Sequence, residues 1–208
     1  AATKTYSLSL LAVAMLVAAL DGGTGFGGDA KARSAALTAL PAAMRDALRV
    51  ESVAEAVAGQ RAQVDQCIVL GRGFEYATAR EWALKLKELA QVAADPYSAA
   101  DFQHGPLALI EPGYPILAIA PTGATLAGMR ELLARLRDQH GVDLLVISDD
   151  AETCALGSTG LRTPRAPAEW LSPIVSVIPA QLFAYHVTQA RGLDTEQPRW
   201  ISKVTLTR

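Results

Sequence analysis

Apolar residues fill almost every position across residues 8–20, with Ser9 the one polar interruption. Such a run predicts a buried, mostly apolar helix over residues 3–20, closed by Asp21-Gly22-Gly23. It is too short to cross a bilayer. Lys4 ahead of a short apolar core has the outline of a secretory signal, but a core helix explains the run better. Residues 24–28 read as a glycine-rich loop. Asp29 is placed to cap a second helix reaching about Arg49, which Pro41 interrupts and divides. Residues 53–60 add a short helical turn. This opening block carries no strand pattern.

The pattern then changes. Gln66-Cys67-Ile68-Val69-Leu70 is a short apolar run closed by Gly71-Arg72-Gly73, the mark of a buried parallel strand. A helix is predicted over 76–92, where spacings of four and three put Glu81, Lys85 and Glu88 on one face. Strands follow at 115–120 and 143–148, around a helix at 125–140 that Gly141 ends. A short fourth strand is expected at 161–164. The last helix, 174–191, is apolar, has Pro179 in an early turn and stops at Gly192. Strand–helix alternation with short connections predicts a three-layer α/β/α sandwich on a mostly parallel sheet, preceded by a helical segment. Ligands of such sheets sit beyond the carboxyl ends of the strands. Gly71-Arg72-Gly73, Thr122-Gly123 and Ser148-Asp149 fall there, which makes Gly71 and Arg72 candidate substrate contacts.

Composition narrows the classes. The 208 residues, half of them hydrophobic, suffice for one domain with a full core. A formal net charge of −2 leaves no basic excess for nucleic acid and no acidic tail. Cys67 and Cys154 lie far apart, and three histidines form no cluster with them, so no metal site is expected. Cytoplasm is the default compartment.

Several groups carry candidate chemistry. Gly71-x-Gly73 is half a dinucleotide fingerprint, but Tyr76 stands where its third glycine belongs, and no cofactor is expected. Glu88 is the candidate proton shuttle, although a solvated Glu/Lys helix face is the commoner meaning of this spacing. Phe102-Gln103-His104-Gly105-Pro106 sets an imidazole at a rigid turn, suited to proton transfer near neutrality. His140 belongs to a helix end, where the dipole accounts for it, and His186 to a core or interface. Lys203 gains chemical interest only if the chain's end folds over the site and desolvates it. No phosphate cradle is evident. Thr122-Gly123-Ala124-Thr125 is the nearest approach, a weak anion site on Thr122 and Thr125.

Four blocks together resemble a known family. They are Leu84-Lys85-Leu86-Lys87-Glu88; His104-Gly105-Pro106-Leu107-Ala108-Leu109; Pro179-x-Gln181-Leu182-x-Ala184-Tyr185-His186; and Pro198-Arg199-x-x-Ser202-Lys203-Val204-Thr205. The chain is similar along its length to the sugar isomerase (SIS) domain family, above all to the isomerase region of glucosamine-6-phosphate synthase and to related isomerases and deaminases. In the synthase branch a further residue often separates the lysine from Val-Thr. Here Val204 follows Lys203 directly, which leans toward relatives without a glutaminase domain.

The resemblance implies two SIS units in tandem. Residues 1–60 are then linking helices from a preceding unit, and 61–208 a second SIS domain with a catalytic tail. It implies that Glu88 moves a proton between C1 and C2 of a hexose 6-phosphate and that His104 opens the sugar ring, with room for supply by the neighbouring subunit of a homodimer. Lys203 would form an imine with the open-chain ketose. Lys85 would tune the charge at Glu88, and Thr3 and Ser202 would contact substrate. Ala2 stands where a serine is often found. The family's serine-rich phosphate loop belongs to the first unit and has no counterpart here beyond Thr122–Thr125. The isolated chain is therefore expected to be inactive or very weak, because positioning is a large part of catalysis. The alternatives are a non-catalytic sugar-phosphate-binding regulatory module and a structural half that dimerises. A sensor needs the phosphate loop without the Glu88, His104 and Lys203 set, the reverse of what this chain carries.

Overall fold

Alternation along three central strands divides the core in two. In the computed structural model, which describes residues 2–20 and 28–200, strand β1 (Gln66–Gly71) sends Cys67 and Val69 to one side and Ile68 and Leu70 to the other. β3 (Pro115–Ile119) and β4 (Asp143–Ser148) repeat the division. Strands buried on both faces must be apolar at every position, hence their uninterrupted runs. With β2 (Ala93–Ser98) and β5 (Thr159–Arg162) they form an all-parallel sheet in the order β2-β1-β3-β4-β5. The chain reverses its direction of travel across the sheet between β1 and β3, the place where such folds open a cleft.

Helices cover both faces. One face packs on α3 (Glu51–Gln60), α4 (Glu75–Lys85) and α8 (Ser172–Ala190). There the Trp82 and Phe183 rings meet edge to face at 5.6 Å. The other face packs on the short α5 (Ala99–Phe102) and on α6 (Leu126–His140), through Phe102, Met129, Leu132, Leu133 and Leu136. A four-residue helix, α7 (Ala151–Cys154), joins β4 to β5. Outside α8 lies a third cluster, made with α1 (Lys4–Leu20) and α2 (Ala30–Ala47). Lying between sheet and outer helices, α8 is apolar over most of its surface. The stretch Glu169–Ala190 is long and apolar enough to cross a membrane, yet its most apolar window is 78% buried inside the fold, as befits a core helix.

Three expectations need correction. Pro41 does not divide its helix, since α2 runs unbroken. Its ring is on the exposed side, while Ala36, Leu40, Ala43 and Ala47 anchor the turns before and after it. β2 has no counterpart in the sequence reading. It is an edge strand that tolerates Pro96 and Asp95 because one side has no partner strand. The helix expected over 76–92 is α4 followed by a π-helical turn, Leu86–Ala90, closed by Gln91 in the left-handed region at φ 57°. The strand expected at 161–164 is β5. The loop expected at 24–28 lies outside the described residues except Gly28.

Candidate functional site

The face shared by Glu81, Lys85 and Glu88 is real and mostly buried. Trp82, Ala83 and Leu86 sink into the core between them, which draws the polar residues of α4 inward toward α8. Lys85 keeps 3% of its side chain exposed and Glu81 7%, whereas Glu88 keeps 24%. The Lys85 ammonium donates to Glu88 Oε2 at 2.5 Å and lies 3.8 Å from Glu81 Oε1. Burial pushes the Glu81 carboxyl above the usual carboxylate range, against the pull of Lys85 and with the push of Glu88. Gln181 of α8 lies beside Glu81. Glu88 falls in the π-helical turn, a winding frequent at functional sites. A dry ammonium thus holds two carboxylates, and of the two Glu88 is the one a bound molecule can reach.

The other sequence candidates are not all here. A helix that follows a strand in a parallel sheet runs back against it, so the end of α4 returns to the amino ends of the strands. Ala93 N–H donates to Asp65 O just ahead of β1, which fixes Glu88 at that end. Gly71 and Arg72 are at the opposite end, while His104 follows α5 on the other face of the sheet, where the neighbouring Gln103 accepts from Arg135 of α6. Strands of six residues separate the two ends by roughly 20 Å. Residues flanking Glu88 pack on the α4–α8 face and those flanking the exposed His104 on the α5–α6 face, so within one chain the sheet lies between them. Gly71 is required by its turn, since a Cβ there would fall 2.2 Å from Glu75 O.

Thr3 is exposed at the start of α1. Tyr6, one turn on, lies beside Thr78 with Glu81 and Glu75 close by, so Thr3 is directed toward the Glu88 end. Ser202 and Lys203 lie outside the described residues. The described chain leaves α8 at the Glu88 end, where the Arg191 guanidinium bonds Val64 O at 2.8 Å and Asp65 at 2.9 Å.

The loop read as a weak anion site is filled by the chain's own carboxylates. Thr122 N–H donates to Asp149 Oδ1 at 2.6 Å and Ala124 N–H to Glu169 Oε1 at 2.7 Å. Gly123 lets Glu169 come close, for a Cβ would lie 2.5 Å from that oxygen. Backbone donors at such a helix start bind anions readily. Here two are already engaged, which argues against Thr122 and Thr125 as a phosphate contact.

One carboxylate escaped the sequence reading. Glu75, 3% exposed, lines the cleft at the β1–β3 switch with Arg72, Thr122 and Ser172. It accepts from Ser172 Oγ and Ser176 Oγ, both at 2.6 Å. Burial raises its proton affinity more than these donors lower it. The available signal was a pair of serines four apart on an otherwise apolar helix. His186 is buried against Tyr185, and His140 closes α6 before Gly141 at φ 60°. Both cysteines are free and buried, and burial pushes the Cys67 thiol up to about 12. Among the described residues no group of three or more His, Cys, Asp or Glu is arranged to hold a metal.

Comparison with known proteins agrees with this fold. Residues 62–191 match the family model of the SIS domain. The isomerizing glutamine–fructose-6-phosphate aminotransferase of Legionella pneumophila is 36% identical over 205 residues, 98% of this chain and 33% of that protein. The Neisseria meningitidis protein of the same name is 41% identical over 173 residues, 80% of this chain and 27% of that one. The solved C-terminal domain of glucosamine-fructose-6-phosphate aminotransferase from Francisella tularensis superposes with a TM-score of 0.84 at 29% identity, covering 95% of this chain and 56% of that one. The chain thus spans about a third of the length of these curated relatives. Their names are of glutamine-using aminotransferases, away from the lean drawn from Val204.

Proposed function

We propose that this chain, which belongs to the SIS domain family, is the proton-transfer half of an enzyme acting on hexose 6-phosphates. It would interconvert ketose and aldose, with amination or deamination at C2 in the full protein. The observation that carries this reading is the buried Lys85 ammonium between Glu81 and Glu88, with Glu88 the most open of the three.

The chemistry follows from the charges. The Glu88 carboxylate takes a proton from C1 of the open-chain ketose; the C1–H electron pair becomes a C1=C2 bond while the C2=O π pair moves onto O2, giving an enediolate. Returning that proton to C2, as the O1 proton passes to O2 and C1=O forms, gives the aldose with no net gain or loss. The Lys85 ammonium orients the Glu88 carboxylate through their hydrogen bond. Ring opening falls to His104 and imine formation to Lys203, on the strength of the family resemblance. Because His104 and Glu88 belong to opposite faces of one sheet, the reading calls for a homodimer that brings His104 from the partner. The phosphate is held outside this chain, by a first SIS unit, since the Thr122–Thr125 loop is engaged by Asp149 and Glu169. Such a setting is cytoplasmic, as a doubly charged phosphate does not cross membranes unaided.

The regulatory reading differs in one measurable respect. Nuclear magnetic resonance of fructose 6-phosphate incubated with the full-length protein separates them. Appearance of aldose supports the enzyme, and binding without conversion supports the sensor. The isolated chain is expected to convert little or none.

A further inference from the structure

The polar face of α4 does not end at Glu81. Glu75, Thr78, Glu81 and Lys85 lie at spacings of three and four, so they line one side of the helix. All four are buried. They face Ser172, Ser176 and Gln181 on α8 and Tyr6 on α1. The result is a polar seam inside an apolar fold, roughly 20 Å long from Glu75 to Glu88 by helical rise. Its near end opens on the cleft with Arg72, and Asp149 is the further charge close to Glu75. Its far end is the proposed base.

Burying so many polar groups is costly unless each is satisfied. The two ends are: Glu75 by two serines, Glu88 by Lys85. The middle is different. Tyr6 Oη, Thr78 Oγ1, Glu81 Oε1 and Gln181 Nε2 are buried and make no close hydrogen bond among the described residues, although Tyr6 faces Thr78, Gln181 faces Glu81 and Lys85 lies 3.8 Å from Glu81 Oε1. Four such atoms in one seam, of mixed donor and acceptor character, suit bridging water.

We infer that this seam is a hydrated proton path, joining Glu75 at the switch-point cleft to Glu88 at the other end of the helix. The carboxyls, hydroxyls, water and the Lys85 amine can each give and take a proton, and Gln181 only holds Glu81 in place. One proton leaves Glu75, each hydroxyl, water and ammonium passes one on as it receives one, and one arrives at Glu88. Run in reverse, the path carries a proton taken from the sugar to Glu75 and its cleft while bound sugar covers the open side of Glu88. Thr78, Tyr6 and Glu75 are positioning residues in this account, because they act on the sugar only through Glu88. The inference rests on the proposed role of Glu88.

The test has two arms, both on the full-length protein. Atomic-resolution crystallography should find ordered water touching Tyr6 Oη, Thr78 Oγ1 and Glu81 Oε1. Fructose 6-phosphate tritiated at C1 should lose label to water in the wild type. In Thr78→Val and Tyr6→Phe that washout should drop severalfold, while transfer of label from C1 to C2 persists. Merely structural damage would lower both together. A dry seam, or washout unchanged in both variants, overturns the inference. If Glu88→Gln leaves exchange intact, the base assignment is what fails, and the crystallographic arm then decides the seam alone.

Discussion

Lys85 and Glu88 meet across a change of winding. The ammonium sits on the last residue of α4, and the carboxylate it binds lies three residues on, in a π-helical turn. The wider turn carries Glu88 outward while Lys85 stays in the core.

This pairing makes Lys85 structural as well as functional. Lys85→Met would leave the Glu81 carboxylate buried without its counter-charge. The expected loss is about 3–5 kcal/mol in urea denaturation, the range for breaking a buried pair. Adding Glu81→Gln should recover part of it, since neighbouring charges do not add independently. A single variant as stable as wild type would show that the pair carries no such strain.

Glu75 should mark the pH profile of stability. Its carboxyl is held above the ordinary 4.5 by burial. The folded state therefore binds its proton more tightly than the unfolded state. That contribution is complete below the unfolded value and is lost as pH rises through the folded one. Urea midpoints of wild type and Glu75→Gln, compared from pH 4.5 to neutrality, should shift steadily in the variant's favour. A constant gap would mean that Glu75 titrates alike in both states.

Glu169 and Asp149 are expected to keep phosphate off the switch-point loop. In the double variant Glu169→Gln, Asp149→Asn, the Thr122 and Ala124 N–H groups lose their ionic partners. Calorimetry with inorganic phosphate should then detect weak binding that wild type lacks. Equal binding by both proteins would place the anion elsewhere.

The separation of Glu88 from His104 within one chain has its own consequence. Glu88→Gln and His104→Ala should each abolish isomerisation, but co-refolding the two should restore it. Random pairing in a two-fold dimer gives roughly a quarter of wild-type activity, one intact site in half the dimers. No recovery would remove the partner subunit from the account.

The residues that were readable in advance share one property, locality. β1, β3 and β4 announced themselves because a central parallel strand must be apolar throughout, whereas β2, with Asp95 and Pro96, looks like loop. The helical spacing of Glu81, Lys85 and Glu88 needs only neighbours on one helix. Which end of the sheet they occupy was also implicit, since a helix between parallel strands must run backward. Glu75 was hidden for a different reason. Its partners Ser172 and Ser176 are 97 and 101 residues away, and only the packed α4–α8 interface brings them to it. Pro41 misled because packing on α8 outweighs one missing hydrogen bond.

The claim that Glu88 carries the proton is tested most directly by isotope exchange at C1 of fructose 6-phosphate in the full-length protein. Glu88→Gln should slow that exchange by roughly 10²–10⁴-fold, the usual worth of a general base, with sugar-phosphate binding and urea midpoint unchanged. Exchange at the wild-type rate in a folded, ligand-binding Glu88→Gln protein would contradict it.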